Sequence, residues 1–195
     1  MRVVAISGSL RPGSTNSALV RAAARAAPDG VAVTVYEGLA DLPHFSPELD
    51  GPPLGLAPSA PGPVQALRAL LASADGVLIG TPEYAYGIPG SLKNALDWLV
   101  PSGELWRLPV AVFTASPSAN GGEKALAALR LTLSALEAGV VDGASFTIPF
   151  VRSKVAADGR VTDSETGEAL AAAMGALVRA VEAKREEGTR GDLGR

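Results

Sequence analysis

The chain has 195 residues, 47% of them hydrophobic, with 17 basic and 20 acidic side chains, a net charge of −3, one His and no Cys. Without a thiol there is no thiolate nucleophile, disulfide framework, thiolate zinc site or iron–sulfur cluster, and a single His excludes a multi-His metal centre. The weak acidity gives no electrostatic footprint for nucleic acid, and no apolar run approaches the roughly 20 residues of a membrane span. The opening MRVVAISGSL is too short for a signal peptide's apolar region and cleavage site, so the expectation is a soluble cytoplasmic protein.

Val3 to Ile6 is a short apolar strand signal ending at Ser7-Gly8. The Ala-rich stretch from Ser14 to Ala27 reads as a helix, with Ser14, Thr15 or Asn16 as its N-cap. Val31, Val33 and Val35 then alternate with more polar neighbours, the pattern of a sheet-edge strand with one wetter face. Residues 42–63 are rich in Pro and Gly and form a long irregular segment, either a functional or mobile loop or a tolerated surface insertion. Val64, Leu67 and Leu71 mark a second helix, and Val77-Leu78-Ile79 a strand buried on both faces. Pro89 opens a third helix with Leu92, Ala95, Leu96 and Leu99 on one face. A strand over 109–115 follows, then a helix after Gly121-Gly122 carrying Leu126, Leu129, Leu133 and Leu136. A short fifth strand is expected over 145–148, ended by Pro149. Thr162 and Glu165 have capping-box spacing before a last helix with Leu170, Met174, Leu177, Val178 and Val181. The charged tail from Lys184 is expected to fray.

The alternation predicts a flavodoxin-like doubly wound α/β fold: a five-stranded parallel sheet, order 2-1-3-4-5, with helices on both faces. One domain is expected over 1–185, with a disordered tail over 186–195. Ligands of such sheets bind beyond the carboxyl ends of the strands, at the switch between strands 1 and 3. Three unusual loops fall there. The first, 7–16, joins a strand to a helix N-terminus and offers Ser9, Arg11, Ser14, Thr15 and Asn16. That set suits one phosphate monoester, and it also suits an ordinary turn with hydroxyl caps. Its glycines have Walker spacing, but Ser14 stands where that motif requires Lys, so Mg²⁺-dependent NTP hydrolysis is not expected. The second loop, 81–90, has two prolines and two glycines around Tyr84 and Tyr86, which suit a flat heterocycle or a subunit contact. Glu83 is a lone carboxylate, more in keeping with a structural than a catalytic role. The third loop, 114–122, is small, polar and flexible.

GSLRPGSTN followed by TPEYAYGIPGSLKNALDWL resembles the NADPH-dependent FMN reductases, a family that includes chromate, quinone and azo-dye reductases. The resemblance runs from Met1 to at least Gly122. It implies an FMN-dependent oxidoreductase that takes hydride from NADPH or NADH and passes electrons to a flavin, quinone, azo compound or metal oxyanion; a flavodoxin-type electron carrier without its own NAD(P)H activity is the alternative. It also implies that Ser9, Arg11, Ser14, Thr15 and Asn16 hold the FMN phosphate, that Pro82, Glu83, Tyr84 and Ala85 border the flavin ring through backbone groups, and that Ser116 belongs to a third flavin loop. Ala85 stands where the family usually has Asn. No side-chain acid, base or nucleophile is required, and no metal. The resemblance implies a homodimer or homotetramer, with residues 42–63 and Trp106 as interface candidates. Arg11 and Arg152 are candidates for a 2′-phosphate, with the choice between NADPH and NADH open. His44 reads as a lid or surface residue, Lys93 and Asn94 as braces for the loops, Asp97 as a helix-surface or bracing residue, and Trp98 and Trp106 as core or interface aromatics.

Overall fold

A computed structural model describes residues 1–51 and 60–193, with side chains to 187. Five strands, β1 (Arg2–Ser7), β2 (Ala32–Tyr36), β3 (Gly76–Thr81), β4 (Pro109–Ala115) and β5 (Gly139–Ile148), form one sheet of order β2-β1-β3-β4-β5. Every pairing in it is parallel. The helices are α1 (Thr15–Arg25), α2 (Gly62–Ala72), α3 (Gly90–Trp98), α4 (Glu123–Ala135) and α5 (Ser164–Leu193). The expected fold and strand order are both present.

Burial follows from this order. All residues of β3 and β4 are buried, as continuous apolar strands between two helical layers must be, whereas edge strand β2 has none fully buried. One face of the sheet packs Val4, Ile6, Val77 and Ile79 against Leu67, Leu96 and Leu129 of α2, α3 and α4. The opposite face packs Val3, Ala5 and Leu78 against Leu19 of α1 and Met174 and Leu177 of α5. No helix among the described residues is long and apolar enough to cross a membrane.

Two expectations need correction. The fifth strand starts at Gly139, six residues before Ser145. Its register against β4 shifts between Val110 and Val112, so Asp142 and Gly143 sit at an irregularity that breaks the apolar run without ending the strand. The last helix is capped by Asp163, not Thr162: Asp163 Oδ2 accepts from the Thr166 N–H (2.9 Å) and hydroxyl (2.5 Å). That helix is described to Leu193. Its Ala, Glu, Lys and Arg are strong helix formers, and Arg185 reaches Asp75 at the start of β3 (2.8 Å).

Part of segment 42–63 is described. It carries a 3₁₀ turn, Pro47–Asp50, and is clamped from α3. Asn94 Oδ1 accepts from the Phe45 N–H (2.8 Å), while Asn94 Nδ2 (3.0 Å) and buried Trp98 Nε1 (2.8 Å) donate to the Pro43 carbonyl. Phe45 packs edge-on against Trp98 (5.0 Å). Arg68 makes a bidentate pair with Asp50 (2.6 and 2.9 Å) and donates to the Trp98 carbonyl (2.6 Å). Asn94 is therefore a brace, and Trp98 belongs to the core. His44 is exposed between the clamped residues; residues 52–59 lie outside the described residues.

Candidate cofactor site at the carboxyl ends of the strands

The loops after β1, β3 and β4 meet because the three strands are neighbours. Gly8 N–H donates to the Gly80 carbonyl (2.9 Å), continuing the β1–β3 ladder into the loops. The approach requires glycine: a Cβ at position 8 would lie 2.3 Å from Thr81 Oγ1. A cavity of about 170 Å³ opens where the loops converge. It is lined by Ser9, Arg11, Ser14, Thr15 and Asn16 from the first loop, Pro82, Glu83 and Tyr84 from the second, and Ala115, Ser116 and Pro117 from the third. Nine of the ten residues singled out in the sequence line this one cavity; Ala85 does not.

Ser14 is the N-cap of α1, its Oγ accepting from Ser17 N–H at a long 3.5 Å. Helical geometry leaves the first N–H groups of α1 without intrahelical acceptors, and they add to the positive end of the helix dipole at the cavity wall. Arg11 and Arg152 line the cavity and form no ion pair among the described residues. Asn16 is buried; its Nδ2 donates to the Ala115 carbonyl (3.2 Å), while its Oδ1 is buried without a partner among the described residues. An orphaned buried acceptor costs about 1–3 kcal/mol until a donor reaches it.

The third loop is cross-tied. Ser116 Oγ lies 2.8 Å from Ser118 Oγ, which donates to Asn120 Oδ1 (2.6 Å). Ser116 N–H donates to the Ile148 carbonyl (3.2 Å), and Val151 N–H donates to the Ser116 carbonyl (3.1 Å). The second bond places Arg152, in the 3₁₀ turn Val151–Ser153, beside the cavity. From the sequence Arg152 reads only as a candidate for a 2′-phosphate, with nothing to set it at this cavity. The missing information is tertiary, because only the β4–β5 pairing brings the end of β5 here.

Glu83 has a resolved structural job. Its Oε2 accepts from Ala125 N–H in the first turn of α4 (3.0 Å), where the N-cap residue, Gly122, has no side chain to do so. Gly122 adopts φ +91°, and a Cβ there would lie 3.3 Å from Glu83 Cβ, so Gly122 lets the carboxylate close on the helix. After Glu83 the chain makes a tight two-residue turn. Tyr84 and Gly87 exchange both backbone hydrogen bonds (2.9 Å each), with Ala85 at φ +48° and Tyr86 at φ +63°. The turn leaves Tyr84 53% and Tyr86 78% exposed.

These features suit a flavin mononucleotide. Two arginines, clustered hydroxyls and a helix N-terminus suit its phosphate dianion, and the orphaned Asn16 oxygen suits a hydroxyl donor such as the ribityl chain carries. Comparison with known proteins agrees. The family model described as NADPH-dependent FMN reductase matches residues 1–152. A quinone reductase of Escherichia coli is 35% identical over 172 residues, covering 87% of this chain and 85% of that protein. An NAD(P)H-dependent FMN reductase of Pseudomonas aeruginosa is 31% identical over 179 residues, covering 91% and 93%. The solved structure of FerB, a flavoenzyme NAD(P)H:(acceptor) oxidoreductase from Paracoccus denitrificans, superposes with a TM-score of 0.79 at 31% identity, covering 93% of this chain and 97% of that one. The chain therefore belongs to the NADPH-dependent FMN reductase family and is an FMN-dependent NAD(P)H oxidoreductase.

Proposed function

We infer that Ser9, Arg11, Ser14, Thr15 and Asn16, joined by Arg152, hold the FMN phosphate and ribityl chain, that Pro82, Glu83, Tyr84 and Ala85 border the flavin ring, and that Ser116 closes the far wall. The observation that carries this reading is the convergence of two arginines without ion pairs and a helix N-terminus on a cavity holding an unsatisfied Asn16 oxygen. When bound, FMN supplies the ring that accepts hydride from NAD(P)H and releases electrons to the acceptor. The chain's part is to bind and orient. Glu83 fixes the second loop to α4, so the backbone of 82–84 is held from one side by strand β3 and from the other by a helix. With its carboxylate engaged there, Glu83 serves as a brace and not as an acid or base.

The acceptor is a quinone on this reading, supported by the names of the relatives in Escherichia coli and other organisms. The NAD(P)H-dependence named for the relatives favours an enzyme over an electron carrier lacking that activity. The exposed Tyr84, Tyr86 and Trp106 support a homodimer or homotetramer, and a monomer in sedimentation would count against that part.

The phosphate assignment is tested with Arg11→Ala. Loss of a charge-assisted contact worth about 1.5–3 kcal/mol raises the FMN Kd by roughly 10- to 150-fold. An unchanged Kd in fluorescence titration places the phosphate elsewhere.

A further inference from the structure

A second cavity, about 240 Å³, lies on the other side of the β1–α1 loop and shares Ser9 and Arg11 with the first. It runs from that loop to the carboxyl end of β2. Arg21 projects into it from α1, one turn beyond Ser17, whose hydroxyl meets that of Ser7 at 2.8 Å. Glu37, the residue after the last of β2, faces Arg21 with a single 3.4 Å contact. Both side chains are solvent-exposed, 46% and 76%, so the pair is weak and easily exchanged for another partner. Leu39 and Leu10 supply apolar surface.

In Rossmann-type dinucleotide-binding sheets, which share the β1–α1–β2 unit but not the full strand order, a carboxylate at the carboxyl end of the second strand meets the 2′-hydroxyl of an adenosine ribose and a nearby arginine accommodates a 2′-phosphate. Here both groups stand there together, already in contact. The cavity is smaller than the roughly 300 Å³ at which sites for drug-sized ligands begin, which suits a ribose phosphate and not a whole dinucleotide. Its shared wall, Ser9 and Arg11, sets a ligand seated here directly beside FMN held in the first cavity. We propose that this cavity seats the adenosine ribose of the nicotinamide dinucleotide and that the Arg21–Glu37 pair reads its 2′ position. A 2′-phosphate takes Arg21 from Glu37, whereas a 2′-hydroxyl donates to Glu37 and leaves the pair standing. The proposal rests on the NAD(P)H-dependence concluded above and deepens it.

The test titrates the FMN-loaded protein with adenosine 2′,5′-bisphosphate and with 5′-AMP, and measures KM for NADPH and NADH. Arg21→Ala weakens the bisphosphate about tenfold more than 5′-AMP and raises the NADPH-to-NADH KM ratio by a similar factor, the size of one charge-assisted contact. Glu37→Gln moves both ratios the opposite way. It sits at a more exposed position and decides the matter if Arg21→Ala folds poorly. The FMN Kd moves less than about twofold in either variant, since neither residue lines the first cavity. Ratios that stay fixed in both variants, or a bisphosphate that displaces FMN, overturn the assignment. If the wild-type FMN-loaded protein oxidises neither dinucleotide, the NAD(P)H reading itself falls. If it oxidises them and only the ratios fail to move, the Arg21–Glu37 assignment alone falls.

Discussion

At Ala85 a departure from the family motif acquires a physical meaning. Position 85 lies in the left-handed region, followed by a second non-glycine residue there, Tyr86. Asn tolerates that backbone conformation better than other residues with a Cβ, so the turn by itself favours Asn at this position. Ala85→Asn is expected to stabilise the protein by about 1 kcal/mol, read as a higher urea midpoint with an unchanged slope. A midpoint that stays or falls contradicts the turn conformation. The residue scale also marks where sequence reading reached and where it stopped. Ser14 as N-cap and the hydroxyl-rich first loop are local features, and nine residues chosen from loops far apart in sequence line one cavity. Glu83 looked like a lone carboxylate because its partner, Ala125 N–H, lies 42 residues further along the chain.

At the scale of elements, the errors come from local irregularity and the successes from periodicity. Leu92, Ala95, Leu96 and Leu99 face the core as their spacing predicts. β5 is longer than expected because Asp142-Gly143 interrupts its apolar run, yet the strand passes through with a register shift against β4. The far end of the molecule is tied by Asp75, between α2 and β3. Burial raises its pKa, but hydrogen bonds from Arg2 N–H (2.6 Å) and Arg185, together with the positive charges of Arg185 and the N-terminus, outweigh that and hold it below the ordinary carboxylate range. A carboxylate lowered in the folded state contributes stability that is complete above its unfolded pKa and lost as pH falls through its folded one. Acidification below the ordinary aspartate value, about 3.9, is therefore expected to destabilise wild type more than Asp75→Asn, and urea midpoints over an acid series measure it. Parallel pH curves for the two proteins contradict this account of Asp75.

The whole molecule explains why a chain without Cys and with one His can be a redox enzyme. Two apolar layers hold five parallel strands in an order that brings the loops after β1, β3 and β4 together at the switch point. The reactive ring belongs to the cofactor, and in the proposed site the chain's part is hydroxyls, amides, two arginines and rigid turns. The fold and the first loop's arginine are legible in the sequence, because buried parallel strands announce themselves as continuous apolar runs and the alternating second run agrees with an edge position; the place of Arg152 at the cavity is not. The second cavity was not legible: Arg21 lies within a helix and Glu37 just beyond a strand, and only the β1–β2 pairing brings them face to face. The central claim is met most directly by mixing the FMN-loaded protein with NADPH or NADH under anaerobic conditions while following its visible flavin absorption. Bleaching at a rate that saturates with the dinucleotide, reversed by adding a quinone, is the expected result; a flavin band that persists with both dinucleotides, or a protein that retains no FMN, would contradict it.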